Sequence, residues 1–527
     1  MHYEIELKLA LAPEHVGRVL DAPVVAAHAA RGWRSQVLTS TYFDTPDRAL
    51  WAQGMAIRVR AAGKRRVQTL KVPLAADGTA QRFREYEARI AGDRPDPIAL
   101  PADETCMALV TGGVFDRLEP VFTTVFRRRI RRVAFDAATI EIALDTGTIE
   151  AGPSEAGPIE AGAASIAVSE IELELIEGPE AALYDLALAL LALVPLRIEA
   201  ETKAARGMAL AAGRTPPAAV RAKAAALDEA MSVGEALGAL TASCLRQLRD
   251  NEPVVVGTED PEGVHQMRVA IRRLRALLDA FKPTLAADVF AHLRDELRWL
   301  QQALGPAREW DVFIAETIDR MIHRMPEEKS LQALRDRALE MRAEAYRAAR
   351  AAIGTPRYTA LLLRLERHRM GGSWLAAIAE EAPVARSVET IADRTLARHD
   401  KRLRRLGADH DRLTLPELHD VRIRAKKLRY AVEFFRDLYA RGGKRTWRKY
   451  ARALADIQDA LGAINDTVET ERLLGVIGAA RPAGANDDAA RAAAIVTGWE
   501  AARVEIGLAR FPGVWRSYRK SKPFWDR

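Results

Sequence analysis

The chain has 527 residues, 49% of them hydrophobic and 29% charged, with a formal net charge of +7. That is enough apolar material for large cores in at least two domains, and its long apolar run, ALYDLALALLALVPL at 182–196, carries Asp185 and Pro195 and is shorter than a bilayer crossing needs. A membrane span is therefore not expected, two cysteines (Cys106 and Cys244) make no disulfide framework, and glutamates stand in MHYEIELKLAL where a signal peptide has basic residues, so the expected compartment is the cytoplasm.

Charge is unevenly spread. Residues 1–214 hold 25 Lys+Arg against 29 Asp+Glu, and the remainder holds 54 against 43, so the basic half is the C-terminal one. Between them AAGRTPPAAVRAKAAALDEAMS at 211–232 closes one pattern with Gly and Pro and opens another with Ser232 as a candidate N-cap. The boundary falls near 216, giving domains 1–216 and 217–527.

In the first domain the period is mostly 2. EIELKL at 4–9 puts Glu4, Glu6 and Lys8 on one face; IRVR at 57–60 aligns Arg58 with Arg60; EYE at 85–87, IEIALD at 140–145 and EIELEL at 170–175 align carboxylates. Such a face is usually the wet side of an antiparallel sheet. Helical segments at 13–21, 102–110 and 181–193 can instead cover the apolar face, so that the charged face turns inward in a closed barrel. A buried face of mixed carboxylates and guanidinium groups is costly without ligand and ions, and suits a polyanion with bound metal. The segment EAGPSEAGPIEAGAAS at 150–165 is a low-complexity loop without assigned chemistry.

In the second domain HQMRVAIRRLR at 265–275 places His265, Arg268, Arg272 and Arg275 at offsets 0, 3, 7 and 10, a narrow stripe on a helix, with Leu274, Leu277 and Leu278 opposite. Alone it would read as a solvated face. HDVRIRAKKLR at 419–429 repeats the pattern with His419, Arg422, Lys426 and Arg429, and LGPAREWDV at 304–312 and LGAINDTV at 461–468 follow the two copies at similar distances. The chain thus predicts two duplicated helical-bundle halves, about 232–385 and 386–520, whose basic stripes can face each other. The adjoining Arg273 and Lys427 are counted with the stripes. His265 and His419 could equally be structural, bonding a carbonyl at the helix start, and Asp311 and Asp466 are expected to pair with arginines of the basic helices. Val269, Ile271, Val421 and Ile423, not aromatics, lie between the charges, so nucleic acid is not the expected partner. A linear polyanion such as polyphosphate needs only closely spaced cations.

These residues carry a resemblance. EIELK at 4–8, TYFDTP at 41–46, IRVR at 57–60, TLK at 69–71, the acidic alternations at 141–145 and 170–174, and KAARG at 203–207 resemble the CYTH domain of the triphosphate tunnel metalloenzymes. The paired HxxRxxxRxxR-like copies resemble the CHAD domain, a helical domain associated with inorganic polyphosphate. The first resemblance implies that Glu4 and Glu6 hold a divalent metal with Glu172, Glu170 and Glu174 from the later acidic strand, and that Lys8, Arg58, Arg60, Lys71, Arg128 and Lys203 grip phosphate oxygens. In RRRIRR at 127–132 Arg127 or Arg129 could stand in for Arg128. The chain departs from the family at RFREYE, 82–87, with Phe83 where an arginine is expected. Tyr42, Phe43 and Asp44 are read as folding their turn.

The expected architecture is α+β and multidomain: an N-terminal closed antiparallel β-barrel, a tunnel with covering helices, followed by an all-α domain. All-oxygen ligands suit Mg²⁺ or Mn²⁺, not zinc. No P-loop or Ser-His-Asp arrangement is evident, so water is the expected nucleophile. The expected function is hydrolysis of inorganic triphosphate or short polyphosphate by Glu4, Glu6 and Lys8, with polyphosphate binding in the helical domain and association with polyphosphate granules. The alternatives are a non-catalytic polyphosphate-recruitment protein and a CYTH enzyme acting on thiamine triphosphate or ATP. The tunnel should be complete within residues 1–216, and the oligomeric state is left open.

Overall fold

The computed structural model describes residues 2–63, 65–74, 78–151, 164–213, 216–372, 374, 387–442, 444–479 and 488–526. Most of the 150–165 loop lies outside them. The chain forms two compact units, Met1–Pro216 with Gly354–Gly371, and Pro217–Ile353 with Gly372–Arg527.

The first unit is an antiparallel sheet of strands β1 (His2–Leu11), β2 (Arg34–Asp44), β3 (Ala56–Ala62), β4 (Arg65–Pro73), β5 (Gln81–Ile90), β6 (Glu119–Phe135), β7 (Ala138–Ala151), β8 (Ser165–Glu177) and β9 (Leu196–Ile198). They run in the order β5-β4-β3-β2-β6-β7-β8-β1-β9, and β1 also pairs with β5, which closes the first eight into a barrel and leaves β9 as a short addition. Alternation then decides what faces where. Leu7, Leu9, Ile140, Ile142, Leu144, Ile171 and Leu173 point outward into a core capped by Leu183, Leu186 and Leu190 of helix Ala181–Leu191. On the other side Ile57, Val59, Leu70 and Tyr86 pack under Cys106 and Leu109 of helix Glu104–Thr111. Residues up to Leu191 of the run at 182–196 are therefore a core helix, as its composition predicts, and the run ends at the first residue of β9. No helix among the described residues is long and apolar enough to cross a membrane.

One element departs from expectation. Helix Pro356–Gly371 belongs to the barrel unit although its sequence lies deep in the C-terminal region. Leu363 joins the core around helix Ala181–Leu191, Thr359 Oγ1 donates to the Leu196 carbonyl at 2.9 Å, and Arg367 pairs with Asp185 at 2.5 Å. The barrel unit is not complete at residue 216, because the outer face of its core helix needs this later cover.

The second unit is all helical and duplicated. Helix Pro261–Phe281 corresponds to Leu415–Phe435, Val233–Asp250 to Val388–Leu406, and Ala287–Ala303 to Lys444–Ala460. Val264, Met267, Ile271, Leu274 and Leu278 form the buried side of the first basic helix, and Leu418, Val421, Ala425, Leu428 and Val432 that of the second. Capping is conventional: Asp260 accepts from the Glu262 amide, and Thr414 forms a reciprocal box with Glu417.

Leu363 is fully buried, so Leu363→Ala should destabilise the barrel unit by about 2–5 kcal/mol. Urea unfolding of the full chain, followed by a probe in the barrel, measures it.

Candidate functional site

The inward residues of the barrel line two cavities, about 100 and 850 Å³, which share Glu4, Arg58, Arg60 and Arg128. The smaller is lined by Glu6, Lys8, Lys71, Glu172 and Lys203; the larger has an acidic rim of Glu85, Glu87, Glu141 and Glu174. Pairing settles the register at RRRIRR: Arg128 faces Asp145 across the β6–β7 ladder and binds it through two bonds, 2.8 and 2.6 Å, while reaching Glu172 at 2.5 Å. Lys203 lies at the start of helix Lys203–Ala212, capped by Thr202, and bridges Asp145 and Glu172, each at 2.7 Å, and Glu170.

The β1 groups are internally matched. Lys8 pairs with Glu6 and donates to Gln81 Oε1 at 3.1 Å, while Lys71 pairs with Glu4 at 2.5 Å. Arg58 donates to the Tyr42 hydroxyl at 3.2 Å and lies 3.9 Å from Glu85. Arg60 differs: among the described residues it donates a long hydrogen bond to the Ser40 hydroxyl, 3.5 Å. Burial, and then repulsion by Arg58 and Arg128, pushes its guanidinium down to about 9. Arg58 Nε is likewise buried without a hydrogen-bond partner among the described residues. Glu174 shows the opposite stress, raised to about 7 by burial and by Glu4 and Glu141. Glu172 is held well below its usual range, since Lys203, Arg128 and Lys8 outweigh its burial.

The tunnel thus brings together Glu4, Glu6, Lys8, Arg58, Arg60, Lys71, Arg128, Glu172 and Lys203. Glu170 is placed deeper, its carboxylate held by Lys203 and Arg206 and not lining either cavity. Asp145, Glu170 and Glu172 have oxygens within 4.8 Å of one another, an all-oxygen set suited to a hard cation. Arg128, Lys203 and Arg206 neutralise that trio, and Lys71 and Lys8 neutralise Glu4 and Glu6 in the same way, while Glu174 lies beside Glu4 and Glu141; both groups of carboxylates offer all-oxygen ligands to a divalent cation. Phe83 does face the interior, with the Lys71 ammonium 5.2 Å from its ring centre, whereas Arg82 pairs with Glu180 and Arg84 lies over Tyr3. Asp44 folds the turn, accepting from the amides of Thr45, Leu50 and Trp51. Phe43 packs in the outer core, but Tyr42 points into the tunnel. Glu85 lies on the charged face that EYE at 85–87 predicts, whereas the Arg58 contact of Tyr42 was missed; the alternation in β2 is the signal that could have found it.

In the helical unit both stripes line one cavity of about 790 Å³: His265, Arg268, Arg272 and Arg275 from one helix, and His419, Arg422, Lys426 and Lys427 from the other. Arg272 Nε donates to the Tyr430 hydroxyl at 3.1 Å and Lys427 to Asp279 at 3.0 Å, so each basic helix holds the other. Arg268 donates to the Gln301 carbonyl at 2.9 Å beside Gly305, where a Cβ would stand 3.2 Å from its Nη1; the glycine of the first LG marker makes room for that guanidinium. Arg268 Nε and Arg422 Nε are buried without hydrogen-bond partners among the described residues. Burial and Arg308 push His265 down to about 4, so it is neutral near pH 7.

Two stripe residues lie elsewhere. Arg273, about 100° round the helix from Arg272, is buried and donates to Gln247 and Ser243 at 2.9 and 3.3 Å, with its guanidinium over the Phe434 ring. Arg429 sits against Glu433 at 3.6 Å and does not line the cavity. Asp311 binds Arg342 and Tyr346, not a basic helix, because it faces helix Lys329–Ile353. Asp466 reaches Arg503 at 3.6 Å and lines the cavity near Arg422. Arg294 and Arg308 also line it; Arg308 was visible in the LGPAREWDV marker, Arg294 carried no signal.

This closed barrel and duplicated helical unit define the class. Residues 2–208 match the CYTH domain and residues 239–475 the CHAD domain, so the chain is a CYTH domain fused to a CHAD domain. It is 29% identical over 195 residues to an inorganic triphosphatase of Haemophilus influenzae, covering 35% of this chain and 48% of that protein. It is 30% identical over 175 residues to an uncharacterised Mycobacterium tuberculosis protein, covering 32% of this chain and 34% of that one. The chain thus spans about half the length of the first relative and a third of the second. The crystal structure of the CHAD domain from the plant Ricinus communis is similar at 30% identity and a TM-score of 0.50, covering 58% of this chain and 98% of that structure.

Burial, with Arg422 and Arg272 beside it, lowers Lys426 from 10.5 to about 7. Between those values the folded unit binds fewer protons than the unfolded chain, so the penalty is full below pH 7 and disappears toward pH 10.5. Lys426→Met should therefore stabilise the helical unit below pH 7, with the gain fading as pH rises, as read by urea unfolding across that range.

Proposed function

We propose that the barrel hydrolyses inorganic triphosphate or short polyphosphate with Mg²⁺ or Mn²⁺, and that the basic cavity of the helical unit binds polyphosphate. The observation that carries the first half is Arg60, a half-buried guanidinium inside the barrel, with Arg58 and Arg128 as like-charged neighbours and bonded to a hydroxyl in place of a carboxylate. That arrangement costs free energy until an anion arrives.

A divalent cation held by Glu4 and Glu6, with Glu172 and Glu174 from the facing strand, would neutralise phosphate oxygens and favour attack by water. The chain's own groups supply the rest. Lys8 and Lys71, paired with Glu6 and Glu4, exchange those carboxylates for phosphate oxygens when substrate enters, so few charges are left unmatched. Arg58, Arg60 and Arg128 stabilise the charge spread over the oxygens of a loose phosphoryl-transfer transition state. Buried walls exclude water other than the nucleophile and strengthen each of these contacts.

An organic triphosphate is the second reading. Leu38, Trp51, Met55 and Phe126 give the smaller cavity an apolar margin that a thiamine or adenine ring could occupy. Phosphate release from tripolyphosphate, ATP, thiamine triphosphate and long-chain polyphosphate, with each metal in turn, separates the readings. Tripolyphosphate is expected to give the highest kcat/KM; release from none of them would leave a polyphosphate-binding protein without catalysis. Glu6→Gln keeps the volume but removes a metal ligand, and should cut turnover by on the order of a hundredfold or more in a protein that still unfolds cooperatively.

For the helical unit, polyphosphate affinity of the full chain, carrying Glu6→Gln to prevent turnover, should fall on adding Arg272→Glu or Lys426→Glu. Each should also flatten the slope of log affinity against log salt by about one. Unchanged affinity in both would make the stripes a solvated surface.

A further inference from the structure

We infer that Glu366 and Arg369, on the helix that the CHAD-matched sequence contributes to the barrel unit, are positioning residues for the tunnel lysine Lys8. The inference rests on the reading of the tunnel as an anion site. Glu366 is fully buried and accepts from Arg369 Nε at 2.7 Å. The pair lies against Gly78 at the entry to β5: a Cβ there would collide with Arg369 Nη2 and stand 3.1 Å from Glu366 Oε2, so any larger residue would push the guanidinium out of this position.

The residues after Gly78 carry the contact inward. Thr79 is buried, with its hydroxyl 3.5 Å from that of Tyr184 on helix Ala181–Leu191. Ala80 sits in the same core as Leu363. Arg82 pairs with Glu180, whose carboxyl is raised by burial while Arg82 and Arg369 act to lower it and Glu366 to raise it. Glu366 and Arg369 therefore clamp residues 78–82 from outside the barrel. Gln81, in the middle of that segment, faces the tunnel. Its amide nitrogen donates to the Ala200 carbonyl at 2.8 Å, its oxygen accepts from Lys8 Nζ at 3.1 Å, and its backbone pairs with Glu6. A displacement of the β5 entry moves the acceptor that orients Lys8. Lys203, by contrast, has its ammonium anchored by Asp145, Glu170 and Glu172, on β7 and β8; Gln81 reaches only the backbone at Ala200, ahead of the helix that carries Lys203.

That contrast supplies the test. In the full chain, Gly78→Ala displaces Arg369, and Arg369→Lys loosens the same clamp while keeping its charge, should the first variant fail to fold. Lys8 and Lys203 are both buried in the tunnel, and their labelling by a small amine-acylating reagent can be followed by mass spectrometry without any substrate. Lys8 labelling should accelerate about threefold or more while Lys203 is unchanged, and in a Gln81→Ala background the clamp substitution should add nothing, the non-additivity expected of coupled groups. Equal acceleration at both lysines would mean general loosening and would overturn the inference, as would an unchanged Lys8. KM for tripolyphosphate should rise more than kcat falls. If the unsubstituted chain does not turn over tripolyphosphate but the Lys8-specific labelling change is seen, the substrate reading fails and the positioning role stands.

Discussion

Closure of β1 onto β5 is the constraint from which the site follows. Once the sheet has no edges, every second residue of its strands is either outside, under a helix, or inside with no bulk solvent to share. Leu7 and Leu9 take the outside, so Glu6 and Lys8 have no choice but the interior. The same parity sends Arg58 and Arg60 inward beside Val59, and Arg128 inward between two neighbours that stay out.

An interior of this kind is stable only if charges are matched. Most are: Arg128 with Asp145 and Glu172, Lys203 with the same pair and Glu170, Lys71 with Glu4. The mismatches of both signs line the same larger cavity. Cationic stress is concentrated at Arg60 between Arg58 and Arg128, and anionic stress at Glu174 between Glu4 and Glu141. A ligand that is itself a polyanion carrying a metal cation relieves both at once. Burying like charges therefore makes the empty site electrostatically expensive and its filled state comparatively favourable, the general logic of preorganised electrostatics.

How much of this could be read from the sequence depended on whether parity or partner was being asked about. Alternation put Glu4, Glu6 and Lys8 on one face and Arg58 with Arg60 on one face, and the 0, 3, 7, 10 spacing put each basic set on one stripe; barrel closure is what turns the first inward, and seven of the eight stripe residues, all but Arg429, line one cavity. Alternation did not settle Arg128 against its neighbours, since in a run of arginines only the cross-strand register decides. It missed the fate of Arg273 and Asp311 because a helical wheel says which way a residue points and not which helix waits there. Glu170 shares the parity of Glu172 yet is held by Lys203 and Arg206 away from the cavities, a depth along the barrel that a period of 2 does not encode.

Helix Pro356–Gly371 shows the same limit at the scale of a whole element. Its apolar positions Tyr358, Leu362, Leu363 and Leu365 are those of any buried helix, and nothing in their spacing distinguishes a core in the duplicated unit from one in the barrel. What distinguishes it is complementarity: Arg367 meets Asp185, and Thr359 donates to the carbonyl of Leu196 at the start of β9. The helix is also set between two stretches of the other unit in sequence, so neither unit is a contiguous piece of chain. A contiguous fusion lets the first partner fold before the second is made, whereas here part of the barrel unit's core, at Leu363, lies on a stretch made after residue 353. Cover for the core around helix Ala181–Leu191 thus depends on chain order, so loss of Pro356–Gly371 bears on the barrel unit itself.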